Sequence, residues 1–503
     1  MRLLVPLLLL FAVTAASPAL ATPDDPFAAA LETAMPGLLK AYDVPGAAVA
    51  YISNGEVAWS RGYGFADKER KTPMTGDHIL AHGSNGKVIA AWAVLRLVDE
   101  GKVDLNTPAE RYLKRWQFPA SPFDASKITV RHLLTHTSGL EPGHYRVRPI
   151  RFGQVGIVDS LNGRNYGSGP VRLAREPGSQ FSYSGAGFAV AQALVEDVTG
   201  ESFEAYTERV IFRPLGMASA AWHWSPSLEA RAAIPYGAQG ERLPYYDLSE
   251  AAVGSEMMTV ADFARFVAAA VPGPGGEAAG RGVLKPETVA MSMTVQPATN
   301  GTCGLGYGID KLQNGKPFVM HLGGDPGWRA AFALQPESRT GFVVAANSSR
   351  ADNMLLEIMD VWSRAALGTP LPLAPGFQRT VTDAELPLRN LLLVVTVLLG
   401  LGLLLTGKRV YQQARDGGRA HDASRTSRAV ALSALYAALA VAWLLWNHTD
   451  VPVPGVPASW VIPIWTPEIR YVTAAVLAWA CLGMAAAWFP KSRVRSEAMK
   501  QAG

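Results

Sequence analysis

The sequence predicts an α+β fold for residues 22–375, because strand patterns stand at both ends of this region and helical patterns lie between them. Near its start, residues 46–53 and 56–64 are strand-like runs joined by an Asn-Gly pair, a dipeptide that favours the hairpin turn matching strand twist. Near its end, residues 330–335 and 341–347 are short apolar runs around a polar turn and predict a second hairpin. One sheet is therefore expected to form from distant parts of the chain.

The helical elements are predicted from apolar residues that recur at helical spacing. Residues 88–98 carry such a pattern and stop before Gly101, and residues 188–198 carry another that stops before Gly200. Glycine after a periodic run is a common helix stop, because it adopts the left-handed conformation that closes the last turn. Two long helices are therefore expected between the two hairpins.

The composition excludes several classes of function. The chain has 503 residues, of which 49% are hydrophobic and 17% charged, and a formal net charge of +4. This length exceeds one ordinary domain, and the small net charge gives nucleic-acid binding no support. Two cysteines, Cys303 and Cys481, lie in regions of different character, and the nine histidines show no paired metal-ligand spacing. Neither a metal nor an organic cofactor is expected.

Residues 1–21 predict a secretory signal peptide. One arginine precedes an apolar run of about ten residues, and the small residues of Ala19-Leu20-Ala21 supply a cleavage site. The alternative interpretation is an N-terminal membrane anchor that is retained. Under either interpretation, the domain that follows at residues 22–375 is exported.

The last part of the chain, residues 376–503, predicts a membrane anchor with the lipid bilayer as its partner. Three uncharged apolar runs, at about 391–406, 429–446 and 471–488, are near the length of a transmembrane helix. Basic residues cluster between the first two runs and after the third, whereas the loop between the second and third has only Arg470. Because basic residues stay on the cytoplasmic side, the large domain is expected on the periplasmic side of a bacterial inner membrane.

The candidate catalytic residues begin with the tetrad Ser84-Asn85-Gly86-Lys87 at the start of the first helical pattern. Residues three apart on a helix lie on one face about one turn from each other, so Lys87 can reach the Ser84 hydroxyl. A serine becomes a strong nucleophile when a neighbouring base takes its proton, and an uncharged lysine can be that base. The tetrad alone is a weak signal, because a serine that caps a helix has the same pattern.

Further segments accompany the tetrad in a fixed order over roughly residues 36–347. They are LRLVDEGKVDL from residue 95, ITVRHLLTHTSGL from residue 128, PGSQFSYSGAGFAVAQALVEDVTG from residue 177, IFRPLGM from residue 211 and HLGGDPGW from residue 321. This set resembles the class C β-lactamases and penicillin-binding-protein-like serine hydrolases. The resemblance implies a β-lactamase/DD-peptidase-like fold, with a mostly antiparallel sheet, helices on both faces and a helical insert beside the active site.

The resemblance also implies catalytic roles. Ser84 would be the nucleophile that forms an acyl-enzyme, Lys87 its base, and Tyr183 the partner in proton transfer. The backbone N–H of Ser84 is expected to stabilise the oxyanion, with a second donor from the strand just after Gly324. His132 and His136 are expected to be structural, because no carboxylate at a telling spacing completes a Ser-His-Asp set.

Substrate binding is assigned by the same resemblance to His321, Gly323 and Gly324, on an edge strand that lines the cleft. A small residue there lets substrate backbone approach, and the basic side chain of His321 supports a positive field. Gly185 departs from the family pattern, because the tyrosine motif usually reads Tyr-x-Asn and the asparagine amide helps hold an amide substrate. With glycine in that position, an ester or an unusual amide becomes relatively more favourable.

The substrate stays open at this stage, among D-amino-acid peptides of the cell wall, β-lactams and small esters. An alternative function is a catalytically weak or inactive module that binds peptidoglycan or lipid fragments and signals or scaffolds through its membrane helices. The intact Ser84 and Lys87 favour an enzyme, because a degraded binder would more readily lose its nucleophile or base. The oligomeric state is not predicted.

Overall fold

The computed structural model describes residues 25–141, 148–150, 153–165, 169–371, 477–478 and 480–481. The predicted signal peptide and the predicted spans at 391–406 and 429–446 lie outside these residues, as does the span at 471–488 apart from four positions. Within the described ranges, none of the helices combines the length and apolar character that crossing a bilayer requires.

The described region contains helices and strands of very different lengths. The helices are α1 (Pro26–Ala41), α2 (Gly86–Asp99), α3 (Val130–Leu134), α4 (Ile157–Leu161), α5 (Gly185–Thr199), α6 (Phe203–Thr207), α7 (Pro226–Glu229), α8 (Ala251–Gly254), α9 (Val260–Ala268), α10 (Pro286–Ser292) and α11 (Asp352–Leu367). The strands are β1 (Gly46–Ser53), β2 (Glu56–Asp67), β3 (Thr72–Pro73), β4 (Leu80–Ala81), β5 (Arg148–Pro149), β6 (Tyr246–Asp247), β7 (Met257–Met258), β8 (Gly308–Lys311), β9 (Pro317–Asp325), β10 (Trp328–Gln335) and β11 (Thr340–Ala346).

Seven strands form one antiparallel sheet in the order β3-β2-β1-β11-β10-β9-β8. The first strand pairs with the last, from Ala47 opposite Ala346 to Ile52 opposite Gly341. The predicted assembly of one sheet from distant parts of the chain is therefore confirmed. Two further two-stranded sheets, β4 with β7 and β5 with β6, lie outside it.

Both faces of the sheet are covered by helices. Alternate residues of β1 point to opposite faces, so they join two different cores. Ala47, Val49 and Tyr51 join a core that includes residues of α1 and α11. The intervening Ala48, Ala50 and Ile52 join a larger core with residues of α2, α5 and α9. Helices α3 to α8 follow α2 in the chain and precede the second half of the sheet. This arrangement is the predicted α+β fold.

Both hairpins and both long helices lie where the sequence predicted them. The turn between β1 and β2 has left-handed backbone at Asn54 (φ 52°) and Gly55 (φ 76°), the conformation that an Asn-Gly hairpin requires. Helix α5 ends at Gly200 with φ 74°, a left-handed cap. Helices α2 and α5 begin two or three residues before the predicted starts, because each opens with glycine, which carries no apolar side chain to count in a periodic pattern.

Candidate active site

Ser84 lies in a single turn of 3-10 helix, Gly83–Asn85, which runs directly into α2. Lys87 is the second residue of α2, and its side chain is almost fully buried. The Lys87 Nζ lies 3.0 Å from the Ser84 Oγ, within hydrogen-bond distance. The three-residue spacing therefore brings the two side chains together, across a junction between two helix types. An uncharged amine at this distance can take the hydroxyl proton.

A second contact of Lys87 comes from a distant part of the chain. Its Nζ donates a hydrogen bond to the backbone carbonyl of Val253, in the short helix α8, at 2.5 Å. This carbonyl fixes the direction of the lysine side chain towards Ser84. No sequence pattern around Val253 signals the contact, because any residue type supplies a backbone carbonyl.

Tyr183 lies two residues before α5 and enters the site with its ring. The Lys87 Nζ is 5.2 Å from the centre of that ring, and the ring of Phe188 lies 5.9 Å from the same atom. Among the hydrogen bonds of the described residues, none joins the Tyr183 hydroxyl to Ser84 or Lys87. The structure therefore brings Tyr183 beside the pair through an amine–ring contact, the geometry of a cation–π interaction when the amine is charged.

His136 holds the backbone on both sides of Tyr183. Its carbonyl accepts the Ser182 N–H at 2.8 Å, and its Nδ1 accepts the Ser184 N–H at 3.0 Å. The His136 ring lies 4.3 Å from the Tyr183 ring, centre to centre. Burial lowers the pKa of His136 well below 6.5, and the charge of Lys87 lowers it further. The imidazole is thus neutral, with Nδ1 able to accept, and its place in the site was not predicted from the sequence.

His132 has a different position from His136. Its backbone N–H donates to the Thr129 Oγ1 and its Nδ1 accepts the Thr129 N–H, each at 3.3 Å. These two bonds form a capping box at the start of α3. Its contacts are those of a structural residue, as the sequence analysis expected.

His321 lies on β9, opposite Phe332 of β10, with its ring 6.2 Å from the Tyr183 ring. Strand β8 pairs with β9 only as far as Met320, so the described sheet leaves residues 321–325 as a free edge on that side. Burial lowers the pKa of His321 to about 4, with a further contribution from Lys87. The ring is therefore uncharged at neutral pH and does not supply the positive field that was predicted from the sequence.

Gly323 and Gly324 bring β9 against residues 82–85, which we call the nucleophile turn after the predicted role of Ser84. A Cβ at Gly323 would lie 1.8 Å from the His82 carbonyl oxygen and 3.1 Å from the Ser84 backbone nitrogen. A Cβ at Gly83, which has φ 58°, would lie 2.6 Å from the Gly324 nitrogen. The physical need for glycine here is backbone-to-backbone packing of strand and turn, and not the approach of substrate that was predicted from the sequence.

Gly185 is the first residue of α5 and is buried. The preceding Ser184 uses its Oγ to donate a hydrogen bond to the Glu141 carbonyl at 2.9 Å and makes no side-chain cap for the helix. With no side chain at residue 185, this position offers no amide towards Tyr183 or Lys87.

In the described part of the chain, no group of three acidic, histidine or cysteine side chains is placed to hold a metal ion.

An antiparallel sheet covered on both faces, with a serine and a buried lysine joined at a helix start, defines a serine hydrolase of the β-lactamase type. The family model described as Beta-lactamase matches residues 30–360, and the chain belongs to this family.

Two curated proteins show what the chain is similar to. It is 32% identical over 220 residues to esterase EstB of Burkholderia gladioli, covering 42% of this chain and 54% of that protein. It is 30% identical over 230 residues to the putative penicillin-binding protein PbpX of Bacillus subtilis (strain 168), covering 44% of this chain and 54% of that protein. The chain thus spans about half the length of these relatives.

Two solved structures share the fold. The octameric penicillin-binding protein homologue from Pyrococcus abyssi matches with a TM-score of 0.56 and 22% identity, over 69% of this chain and 78% of its own. The crystal structure of SurE with D-Leu matches with a TM-score of 0.55 and 21% identity over the same shares, 69% and 78%. At these identities the likeness shows the fold alone.

Proposed function

We propose that the protein hydrolyses acyl compounds through an acyl-enzyme on Ser84. The observation that carries this proposal is the 3.0 Å contact between the Ser84 Oγ and the Nζ of a buried lysine. Lys87 takes the hydroxyl proton as Oγ attacks the substrate carbonyl carbon. The tetrahedral intermediate then expels an alcohol or amine, which takes up a proton from Lys87 or Tyr183. Water attacks the resulting ester, releases the acid and restores the serine hydroxyl.

The oxyanion of the intermediate needs hydrogen-bond donors, and we assign them to the backbone N–H of Ser84 and a backbone N–H of β9 just after Gly324. Support comes from the close packing of the two segments, since a Cβ at Gly323 would lie 3.1 Å from the Ser84 nitrogen. Backbone donors held by rigid packing stabilise the developing negative charge without reorganising.

Among the possible substrates, small esters are favoured over D-amino-acid peptides and β-lactams. Gly185 supplies no side-chain amide to hold an amide substrate, and the neutral His321 supplies no charge for a substrate carboxylate. Both peptides of this class and β-lactams carry such a carboxylate, whereas a simple ester needs neither contact. The name of the relative EstB, an esterase, agrees with this order, while that of PbpX keeps the peptide branch open.

The location proposed for this activity is the periplasmic face of a bacterial inner membrane. Its support is the sequence: a signal-peptide pattern before the domain, and three apolar runs with basic flanks after it. The test is fractionation of cells that make the full chain, followed by protease treatment of spheroplasts. The domain should sediment with membranes and be cleaved from outside. Recovery in the soluble fraction, or protection from protease, would contradict the proposal.

Catalysis is tested by labelling the full chain in detergent with a fluorophosphonate probe and a fluorescent penicillin. The variants are Ser84→Ala and Lys87→Ala, with Ser227→Ala and Lys311→Ala as controls, since the control side chains are exposed. Phosphonate labelling should be lost in both site variants and kept in both controls. Labelling of Ser84→Ala equal to wild type would exclude Ser84 as the nucleophile. A wild-type protein that takes up neither probe would favour the binding-module alternative.

A further inference from the structure

The segment from Val253 to Glu256 runs along the back of the nucleophile turn. Its first residue supplies the carbonyl that binds Lys87, and its last supplies the carbonyl that accepts the His82 N–H at 3.1 Å. Between them, Gly254 packs so closely that a Cβ there would lie 2.5 Å from the Gly83 carbonyl oxygen. Residues 253–256 therefore contact the chain on both sides of Ser84, at His82, Gly83 and Lys87.

The side chain of Glu256 is buried beneath the start of α2. It is fully inaccessible to solvent, and neither carboxyl oxygen has a hydrogen-bond partner among the described residues. A Cβ added at Gly86 would lie 1.9 Å from the Glu256 Oε2, so any side chain at residue 86 would overlap the carboxyl. The glycine of the Ser-Asn-Gly-Lys tetrad therefore makes the space that Glu256 occupies.

The groups around this carboxyl are charged or titratable. Burial raises the pKa of Glu256 well above 4.5, the charge of Asp325 at the end of β9 raises it further, and the charge of Lys87 opposes both. On the adjoining turn, burial lowers the pKa of His82 to about 4, so that ring is neutral. The raised pKa of Glu256 favours its uncharged, protonated form.

We propose that Glu256 is a positioning residue for the Ser84–Lys87 pair: its carboxyl, admitted by Gly86, supports the start of α2 and so holds Lys87 in place against the Ser84 hydroxyl. The inference rests on the proposed acyl-enzyme function. A glutamine has nearly the shape of the protonated acid and should keep this support, whereas an alanine would leave a cavity beneath the start of α2.

The first test compares the rate of fluorophosphonate labelling in Glu256→Gln and Glu256→Ala, with the exposed Glu287→Gln as control. Glu256→Gln should label within about threefold of wild type, and Glu256→Ala at least about tenfold more slowly, because only alanine leaves a cavity under α2. The control should follow wild type. A folded Glu256→Ala protein that labels as fast as wild type would overturn the inference, and so would a Glu256→Gln protein that labels as slowly as Glu256→Ala.

The second test is a double-mutant cycle between residues 86 and 256, which also decides the matter if Glu256→Gln does not fold. Gly86→Ala in the wild-type background should slow labelling at least about tenfold, because the new methyl group overlaps the carboxyl. In the Glu256→Ala background the same change should cost less than about threefold, since the space is then free. Equal costs in the two backgrounds would contradict the packing of Gly86 against Glu256.

The two proposals fail in different ways. If wild type is not labelled at any pH, the acyl-enzyme function fails and the inference fails with it. If wild type is labelled through Ser84 while Glu256→Ala labels as fast as wild type and the cycle is additive, only the role of Glu256 fails. Circular dichroism and thermal unfolding of each variant separate loss of labelling from loss of fold.

Discussion

Gly323 of β9 and His82 of the nucleophile turn pack backbone to backbone: a Cβ at Gly323 would lie 1.8 Å from the His82 carbonyl oxygen. Real Cβ atoms do not approach an oxygen so closely, so any larger residue at this position must push strand and turn apart. The distance between β9 and Ser84 therefore depends on the absence of one side chain. This relationship joins the sheet edge to the nucleophile in the proposed site.

Gly323→Ala should destabilise the protein and impair labelling together. We expect a loss of about 1–3 kcal/mol in the free energy of unfolding, the usual cost of overpacking, and at least about a tenfold loss in phosphonate labelling. Denaturant unfolding and labelling kinetics measure the two effects. Gly37→Ala is the matched control, because a Cβ at Gly37 in α1 meets nothing within 4 Å. If Gly323→Ala labels as fast as wild type, β9 is not tied to the nucleophile turn as described.

Gly185→Asn should shift reactivity towards amide-like substrates. The substitution places a side-chain amide at the start of α5, two residues after Tyr183, where the family's motif usually has it. We expect the ratio of fluorescent-penicillin to fluorophosphonate labelling to rise at least about tenfold, which corresponds to about 1.4 kcal/mol of added discrimination. Gly185→Ala controls for loss of glycine alone. An unchanged ratio in a folded Gly185→Asn protein would remove this residue from the specificity argument.

Two substitutions of His136 should show whether its hydrogen bond to the Ser184 N–H is needed for labelling. Residue 136 has left-handed backbone (φ 57°), a conformation that Asn and Gly both tolerate. His136→Asn can keep an acceptor near the Nδ1 position for the Ser184 N–H, whereas His136→Gly cannot. Leaving a buried N–H unpaired costs about 1–3 kcal/mol. We expect His136→Asn to label within about threefold of wild type and His136→Gly at least about tenfold more slowly. Similar rates in the two variants would contradict the positioning of Tyr183 by His136.

His223 gives the fold a pH-dependent contact outside the site. Its Nδ1 lies 3.2 Å from the Asp247 Oδ1, and its Nε2 lies 3.2 Å from the Glu204 Oε1. Burial opposes the charged imidazole, but the hydrogen bonds and charges of the two carboxylates outweigh it and raise the pKa of His223 to about 9. Because Glu204 belongs to α6 and Asp247 to β6, the imidazolium links two separate elements.

The stabilisation from His223 should be lost at high pH. An unfolded histidine titrates near about 6.5, and the folded value of about 9 lies above it. The contribution is therefore fully present below about 6.5 and declines as the pH rises through about 9. The measurement is the melting temperature of wild type and of His223→Gln between about pH 6 and 10. Wild type should exceed the variant most at the acidic end, and a gap that stays constant with pH would contradict a charged His223.

Local patterns in the sequence predicted the regular elements of the fold well. The hairpin at Asn54, the helices that start at Gly86 and Gly185 and the pairing of strands from the two ends of the domain all follow from period, turn chemistry and glycine stops. The closeness of Ser84 and Lys87 also follows from spacing, because three residues on a helix span one turn. Each of these features depends on residues near one another in the chain.

The remaining features of the site depend on residues that meet only through folding. The Val253 carbonyl on Lys87, the Glu256 carboxyl in the space left by Gly86 and the clamp of His136 on Tyr183 join segments separated by 47 to 170 residues. None of these contacts has a local signature, because a carbonyl is present at every residue and a buried acid resembles a surface acid in sequence. The sequence by itself therefore determined the elements and the closeness of Ser84 and Lys87. Only the tertiary structure decided what surrounds them, because long-range packing sets burial, and burial sets charge.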